Sequence, residues 1–427
     1  MARACYGLAA MPMPSAAATP ADAGLFERGR GKVLLFCWLG WVFDFYDLIL
    51  FSFCKHDIGS ELGLDVAGTV AWIEGWSLFA TAVGGFVFGR FADRIGRRPA
   101  MVTSIVVFSA GALLTGFACG FWSLLLARVV TGFGVGGEWG IGHAVVAEYW
   151  SGPQRDRVHG ILQAGSPVAM ALAAAVGCFL APLPEVGWRA VFLVSSALGA
   201  LGLWARAAMP GPDRAVSAAE RMPAWLLFGP SYRRASCVLL VVLVLHMAGF
   251  WCVYAELPGA LVRLHHVSMT EVGWFQIQVN SVHVVADVLF GFLAARLGRI
   301  RMFVGFCLVF ALGQWLVLQR LDTAAADFGA FTFAVAAMGV GAGTWSCFGA
   351  LFGQHYPVAL RATAAASFYA LARAVQLPAK PAIGGALAAG SFAPALWVGI
   401  ACAVLSAAAV LWLPKRSEIG EAVVDRA

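Results

Sequence analysis

The segment GRFADRIGRR, Gly89 to Arg98, lies between two long apolar stretches. An imperfect copy, GFLAARLGRI from Gly291 to Ile300, lies between two further apolar stretches in the second half of the chain, with Ala295 in place of Asp93. A basic turn that contains glycine cannot lie in hydrocarbon, so each copy predicts a short loop at a membrane surface. The repetition predicts a membrane protein built from two related halves.

The composition supports this prediction. Hydrophobic residues make up 61% of the chain and charged residues only 12%, with a mean hydropathy of +0.80, which excludes a soluble globular domain. A spanning helix needs about 20 apolar residues. Polar breaks divide the chain into twelve predicted transmembrane helices, at residues 33–54, 70–90, 99–119, 121–148, 159–181, 188–207, 236–258, 271–295, 302–320, 327–352, 362–389 and 392–413. We therefore predict an all-α membrane fold.

An internal repeat predicts the domain organisation. A shift of 206 residues aligns Gly137-Glu138-Trp139 with Gly343-Thr344-Trp345. Two six-helix halves that face each other across a cavity can rock about a site at mid-membrane. The predicted divisions are a disordered tail at 1–32, the first half at 33–207, a Pro-rich linker at 208–235, the second half at 236–414 and a second tail at 415–427.

Arginine and lysine are concentrated in alternate loops. Because short cytoplasmic loops are enriched in these residues, both termini are predicted to be cytoplasmic. The formal net charge of +6 is explained by this topology, so no nucleic-acid partner is needed. The first 30 residues are expected to form a disordered cytoplasmic tail rather than a signal peptide. The ten cysteines show no metal-binding spacing, so we expect no metal.

The loop at Gly89–Arg98 resembles the signature between helices two and three of the major facilitator superfamily, and the resemblance extends over residues 33–414. Phe43-Asp44-Phe45-Tyr46-Asp47, Gly136-Gly137-Glu138-Trp139-Gly140 and Tyr356-Pro357 are similar to segments of the sialate:proton and lactate:proton symporters. Aromatic-acid:proton symporters are a close second. The resemblance implies proton-driven uptake of an organic anion into a bacterial cell across the inner membrane.

Charged residues inside spans are functional candidates, because an ionised group in the bilayer is costly without a cavity or a partner. Asp44 and Asp47 lie on nearly one face of helix one, and two close carboxylates cannot both ionise easily. Helix four carries Arg128 and Glu138, which point about 80° apart, so each is expected to have a partner elsewhere. The predicted proton-coupling residues are Asp44, Asp47, Glu138 and Asp287.

Two further helices carry polar stripes. In helix eight the residues Gln276, Asn280, His283 and Asp287 follow one another at intervals of four, three and four, and such a stripe either lines the cavity or joins two helices. Helix eleven carries Arg373, whose planar guanidinium matches a carboxylate, and the alternative for Arg373 is an ion pair with Asp44, Asp47 or Glu138. The predicted substrate-binding residues are Arg373, Lys380, Tyr369, Gln376, Gln163, Gln276, Asn280 and His283.

The acid and the arginines of the Gly89–Arg98 loop are predicted to close the cytoplasmic side. Asp93 near the start of helix eleven would favour its dipole, and arginines of the loop could pair with Glu148. Since Ala295 replaces Asp93 in the second copy, we expect the first copy to supply most of the closure. The predicted gating residues are Asp93, Arg94, Arg97, Arg98, Glu148, Arg155 and Arg128.

Together these features predict a secondary active transporter rather than an enzyme, because no nucleophile, base and acid set is present. We expect a monomer in a lipid bilayer that binds a small anionic substrate and protons, with the proton as coupling ion and no cofactor. One alternative is a sugar, polyol or phosphate carrier of the same fold. Another is a transporter-like membrane sensor.

Overall fold

The computed structural model describes residues 29–207, 222–323, 327–375, 386 and 389–414. In those ranges all regular secondary structure is helical. The first half contains α1 (Arg30–Leu62), α2 (Ala71–Ile95), α3 (Arg97–Gly116), α4 (Phe121–Val135), α5 (Glu138–Tyr149), α6 (Gly152–Gln163), α7 (Gly165–Ala175) and α8 (Gly187–Ala207). The second half contains α9 (Arg233–Phe250), α10 (Leu257–His265), α11 (Met269–Leu297), α12 (Arg299–Arg320), α13 (Phe328–Ala342), α14 (Trp345–His355), α15 (Val358–Ala374) and α16 (Ala393–Ala409).

Each of the twelve predicted spans corresponds to one of these helices or to two consecutive ones. Within the described ranges, nine helical units are long and apolar enough to cross a membrane. The other three predicted spans correspond to the pair α4 and α5, to α8, and to α15, which ends where the described residues end. The described residues leave out most of the predicted N-terminal tail (1–28), most of the predicted linker (208–221) and the C-terminal tail (415–427). Helix α1 begins at Arg30, within the predicted N-terminal tail. The described part of the linker contains a short 3₁₀ helix, Ala224–Phe228.

The fourth and tenth spans are each broken, and the two breaks lie within one residue of the same place in the repeat. The first break, at Gly136-Gly137, separates α4 from α5, and the second, at Gly343-Thr344, separates α13 from α14. A Cβ atom on Gly136 would lie 2.3 Å from the Thr81 carbonyl oxygen. Glycine is therefore required where two helices cross this closely.

The two copies of the loop motif form tight turns of the same shape. Gly96 and Gly298 have φ angles of 120° and 96°, values that favour glycine because it lacks a Cβ. Each turn connects a long helix to the next one, α2 to α3 and α11 to α12. We call the end of the bundle that carries these two turns the basic end.

The two halves are pressed together near the basic end along two seams. In the first, α2 packs on α15, and a Cβ on Gly89 would lie 2.9 Å from the Ala362 carbonyl oxygen. In the second, α6 packs on α11, and a Cβ on Gly160 would lie 2.6 Å from the carbonyl oxygen of Asp287. Backbones this close leave no passage along either seam, so the basic end is closed in this conformation.

Candidate functional site

A small pocket lies between the two halves at the middle of the bundle. Its cavity volume is about 10 Å³ in this conformation, which is room for about one water molecule. The first half contributes two residues of α1 and two at the junction of α6 and α7, and the second half contributes four aromatic residues. The lining residues are Trp41, Phe45, Gln163, Ser166, Phe250, Trp251, Trp345 and Tyr369. Six of these eight side chains are aromatic, so the pocket has flat apolar walls and little hydrogen-bonding capacity.

Tyr369 on α15 contacts three of the tryptophan rings in and around the pocket. It stacks on Trp139, with ring centroids 4.1 Å apart and an interplanar angle of 13°. Trp41 and Trp345 meet it edge-on at 6.1 and 6.0 Å. Trp139 and Trp345 are the equivalent tryptophans of the repeat, and each follows a helix break. The two breaks therefore bring one tryptophan from each half to the same tyrosine.

Arg373 lies one turn beyond Tyr369 on α15 and is 1% exposed. Its Nη2 donates to the Tyr369 hydroxyl at 2.9 Å, and its guanidinium lies 5.7 Å from the ring centre of Phe45 and 5.8 Å from that of Trp251. Within the described ranges it forms no ion pair, so the alternative of a pair with Asp44, Asp47 or Glu138 is not found. The guanidinium is a buried cation held by three aromatic rings beside the pocket.

The other predicted substrate-binding residues are Gln163, two residues outside the described ranges, and three residues of the polar stripe on α11. Gln163 lines the pocket, accepts a hydrogen bond from Trp139 Nε1 at 3.0 Å and donates to Ser166 at 3.1 Å. Gln376 and Lys380 lie outside the described residues.

The polar stripe of α11 is buried on one face, as predicted, but it does not line the pocket. Asn280 accepts from the Tyr254 hydroxyl at 3.2 Å, Asp287 accepts from Ser346 at 2.7 Å, and His283 Nε2 lies 3.6 Å from Asp287. The stripe therefore joins α11 to α14 and to the segment after α9. Gln276, Asn280 and His283 are not among the residues that line the pocket in this conformation, and their contact with a substrate stays a prediction.

The first-half charges form pairs that periodicity alone did not identify. Arg128 Nη1 lies 3.0 Å from Asp47 Oδ2, and both side chains are almost fully buried. Arg128 was grouped with the gating residues, but it lies in the middle of α4, far along the helix pair from Glu148, and its partner is on α1. Glu138 accepts from Ser104 at 2.9 Å, and Asp44 is fully buried one turn before Asp47.

Arg97 forms a buried cluster with Asp93 and Glu148 at the basic end, which we call the Arg97 cluster. Its Nη2 lies 2.8 Å from Glu148, and it also donates to the Val358 carbonyl oxygen of the other half at 3.1 Å. Asp93 pairs with Arg97 and accepts from both the backbone nitrogen and the hydroxyl of Thr363, at 2.8 and 2.5 Å. The contacts that were predicted for the loop, with Glu148 and with the eleventh span, which is α15, are therefore present.

The second copy of the motif forms a matching cluster that the sequence analysis missed. Arg299, the equivalent of Arg97, pairs with Asp156 and donates to Gln354 at 2.5 Å. Gln354 is the repeat equivalent of Glu148, and the missing acid at Ala295 is supplied by Asp156 of the first half. Both seams are thus held by charge, which corrects the expectation that the first copy supplies most of the closure. Arg299 has neither of the acids that pair with Arg97 in the first copy, since Ala295 and Gln354 replace Asp93 and Glu148, and this lack was the signal that an acid from elsewhere lies nearby.

The remaining predicted gating arginines have other surroundings. Arg155 donates to the Trp150 carbonyl oxygen at 3.0 Å, and Arg361 repeats this contact with Tyr356 at 3.3 Å. Arg155 thus holds the end of a helix within its own half. Arg94 is exposed, and Arg98 is half-buried.

Asp93→Asn is expected to populate conformations that are open at the basic end. Thr363 of the other half keeps an acceptor, but its bonds across the seam are no longer made to a charged group. Hydrogen bonds to charged groups contribute about 1.5–3 kcal/mol and neutral ones about 0.5–1.5 kcal/mol, so the open fraction should rise by up to about tenfold. Labelling of a cysteine placed in the α2–α15 seam, with the native cysteines replaced, would measure it. Ala295→Asp is the control, because Arg299 already has Asp156. Equal labelling in wild type and Asp93→Asn would contradict the assignment of a gating role to Asp93.

The fold and this arrangement are those of a transporter with a substrate pocket between two rocking halves. The model of the Major Facilitator Superfamily matches residues 37–255 and 239–425, and the chain belongs to that family. It is therefore a multi-pass membrane transporter of small molecules and not an enzyme, as the sequence predicted.

Individual relatives agree with this assignment. The chain is 28% identical over 379 residues to a Haemophilus influenzae protein named for metabolite transport, covering 86% of this chain and 91% of that protein. It is 26% identical over 281 residues to the sialic acid transporter NanX of Escherichia coli, covering 64% and 67%. The solved structure of the proton:xylose symporter XylE superimposes with a TM-score of 0.71 at 14% identity, covering 88% and 94%, and shows the same fold.

Proposed function

We propose that the chain takes up a small organic anion together with protons, by alternating access about the central pocket. The observation that carries the proposal is the position of Arg373, a buried guanidinium beside the pocket that is paired with aromatic rings and a hydroxyl. A buried cation is costly without an anionic partner. A substrate carboxylate would supply that partner, and the planar fork of arginine would bind both its oxygens.

The pocket walls favour a small, flat carboxylate. Typical ligand sites enclose about 300–1,000 Å³, whereas this pocket has a cavity volume of about 10 Å³ in the closed conformation, so a substrate would bind there only after the two halves move apart. Gln163 and Ser166 are its two non-aromatic lining residues, so a sialate would leave most of its hydroxyl groups without partners in this conformation. An aromatic monocarboxylate would stack against Trp41, Trp345 or Tyr369 and needs few hydrogen bonds. Lactate would make less use of the rings.

Asp47 is proposed as the principal proton carrier. Its ion pair with Arg128 is buried, and protonation of the carboxylate would remove the negative charge and weaken the pair. Asp47 is on the same helix as Trp41 and Phe45, so a change at the pair can reach the pocket through α1. Asp44, Glu138 and Asp287 are the other candidates, and no cofactor beyond the coupling proton is proposed.

We place the protein in a bacterial inner membrane as a monomer, with both termini and the basic end on the cytoplasmic side. Support comes from the distribution of arginine and lysine among the loops. In that orientation the closed seams face the cytoplasm, and the substrate would enter from the opposite side.

A ligand panel tests the substrate class. Benzoate is expected to raise the melting temperature of the purified protein more than lactate or sialate, because its ring can stack on the aromatic walls of the pocket. A ligand at 100 times its dissociation constant stabilises the folded state by about 2.7 kcal/mol. Benzamide is the matched control, since it has the same shape without the charge. Equal stabilisation by benzamide, or stronger stabilisation by xylose, would contradict the anion site and support a carrier of neutral substrates.

A further inference from the structure

Two buried histidines face each other between the central pocket and the basic end. The Nδ1 atoms of His143 on α5 and His159 on α6 are 2.7 Å apart, and the rings are stacked with centroids 4.9 Å apart. Both residues are at most 1% exposed. The proposed substrate and proton sites use neither of them. Burying two titratable side chains costs free energy unless their polar atoms are hydrogen-bonded, so the partner of each ring nitrogen has to be identified.

The hydrogen-bond partners fix where the protons lie. Gln163 Oε1 is 3.2 Å from His143 Nε2, and an amide oxygen can only accept, so His143 Nε2 carries a hydrogen. In a neutral ring His143 Nδ1 is then an acceptor, and His159 Nδ1 donates to it. His159 Nε2 is left with a lone pair that is buried and, among the described residues, has no hydrogen-bond partner. It is a vacant proton acceptor.

The second half of the protein covers the pair in the closed conformation. The backbone of Gly349 on α14 lies against it, since a Cβ there would be 2.0 Å from His143 Nδ1 and 2.6 Å from His159 Nδ1. Any larger residue at this position would separate the halves. The same glycine keeps water away from the pair.

The charges around the pair are mostly cationic. Arg155, Arg299 and Arg361 act electrostatically on His159, and two of them belong to the second half. On α1, Cys37 lies beside Gly142, the residue that precedes His143. The carboxylates on the surrounding helices are already bound to other groups: Glu138 to Ser104, Glu148 to Arg97, Asp156 to Arg299 and Asp287 to Ser346.

We propose that His143 and His159 form a proton-binding site that is empty while the basic end is closed and occupied when it opens. The proposal rests on the alternating access of the proposed function. Opening would move α12, α14 and α15 away from α5 and α6, which removes Arg299 and Arg361 and admits water. One proton then binds at His159 Nε2. The Nδ1 hydrogen can pass between the two rings, so the pair holds a single positive charge.

The site makes opening depend on pH with a defined sign. The open conformation binds one more proton than the closed one, so lowering the pH favours opening. A one-proton difference changes the ratio of open to closed molecules by up to about tenfold for each pH unit. The effect should fall in the range where a hydrated imidazole titrates, around pH 6.5. On the proposed orientation, an acidic cytoplasm would hold the carrier open on that side.

Distances between spin labels across the basic end test the proposal without any transport assay. Ile95 and Leu297 lie on the two equivalent loops and are 50% and 53% exposed, so Ile95→Cys and Leu297→Cys accept labels once the native cysteines are replaced. In substrate-free protein, the fraction of long distances should rise as the pH falls from about 8 to about 5.

Matched variants separate proton binding from packing. His159→Asn keeps a donor near the Nδ1 position but lacks Nε2, and His159→Gln places an uncharged amide near Nε2, so both should lose the pH dependence. His246→Asn is the control, because His246 is a buried histidine bound to Thr344 at 2.8 Å within the second half, and it should keep the dependence. The proposal is overturned if wild type shows no pH dependence, or if both His159 variants retain it. If the wild type shows the pH dependence of the distances but no proton-driven accumulation of substrate, that result counts against the proposed function and not against the histidine site.

Discussion

Arg373→Ala is expected to weaken binding of an aromatic carboxylate by roughly 30-fold to several thousand-fold while the protein still folds. Truncating one partner of a buried charge pair costs about 2–5 kcal/mol, and each 1.4 kcal/mol is a tenfold change in affinity. The substrate would be left with an unpaired carboxylate between aromatic rings. Isothermal titration with benzoate measures the dissociation constant directly.

Arg373→Lys is the informative companion variant. Lysine keeps the charge but loses the planar fork, so its affinity should lie between those of wild type and alanine. Benzamide binding should change little in either variant, because it has no charge to lose. Unchanged benzoate affinity in Arg373→Ala, with a normal melting temperature, would remove Arg373 from the substrate site.

Asp47→Asn is expected to abolish accumulation driven by a pH gradient and to leave substrate counterflow intact. Asparagine can still accept a hydrogen bond from Arg128, which lies 3.0 Å from the carboxylate, but it cannot take up or release a proton. Exchange of substrate for substrate needs no net proton movement, whereas accumulation does. Reconstituted liposomes measure both activities on the same preparation.

Asp44→Asn provides the comparison, because Asp44 lies one turn away on α1 and is equally buried, while Arg128 pairs with Asp47. If Asp47→Asn accumulates substrate normally and Asp44→Asn does not, the proton carrier is Asp44. If both accumulate normally, the proton moves through Glu138 or through Asp287.

The sequence was sufficient for the architecture because hydrocarbon imposes strong constraints on a chain. Span length, alternating basic loops and the repeated glycine motif each reflect a cost that the bilayer or a close helix crossing enforces. The repeat aligns the two helix breaks, at Gly136-Gly137 and Gly343-Thr344, to within one residue, although each of these spans was predicted as one continuous helix. The same reasoning identified Arg97, Glu148 and the contact of Asp93 with the start of α15.

The site was only partly predictable, because periodicity gives the face of a helix but not the neighbour on that face. The α11 stripe shares one face, yet that face packs on α14 and does not line the pocket. Arg128 needed a partner that no spacing could locate, and the partner is Asp47 on another helix. The contact of Asp156 with Arg299, and the cover that the second half places over the pair of histidines, exist only in the assembled fold.

Uptake of 4-hydroxybenzoate by reconstituted liposomes under an imposed pH gradient tests the central claim most directly. Liposomes that contain Asp47→Asn and protein-free liposomes provide the baselines for uncoupled uptake and for passive diffusion of the acid. The account predicts protein-dependent accumulation above the external concentration when the outside is acidic, approaching about tenfold per pH unit for one proton per anion. It also predicts no accumulation above the baselines when the gradient is collapsed. Protein-dependent uptake that only equalises the two concentrations, whatever the gradient, would contradict proton-coupled transport.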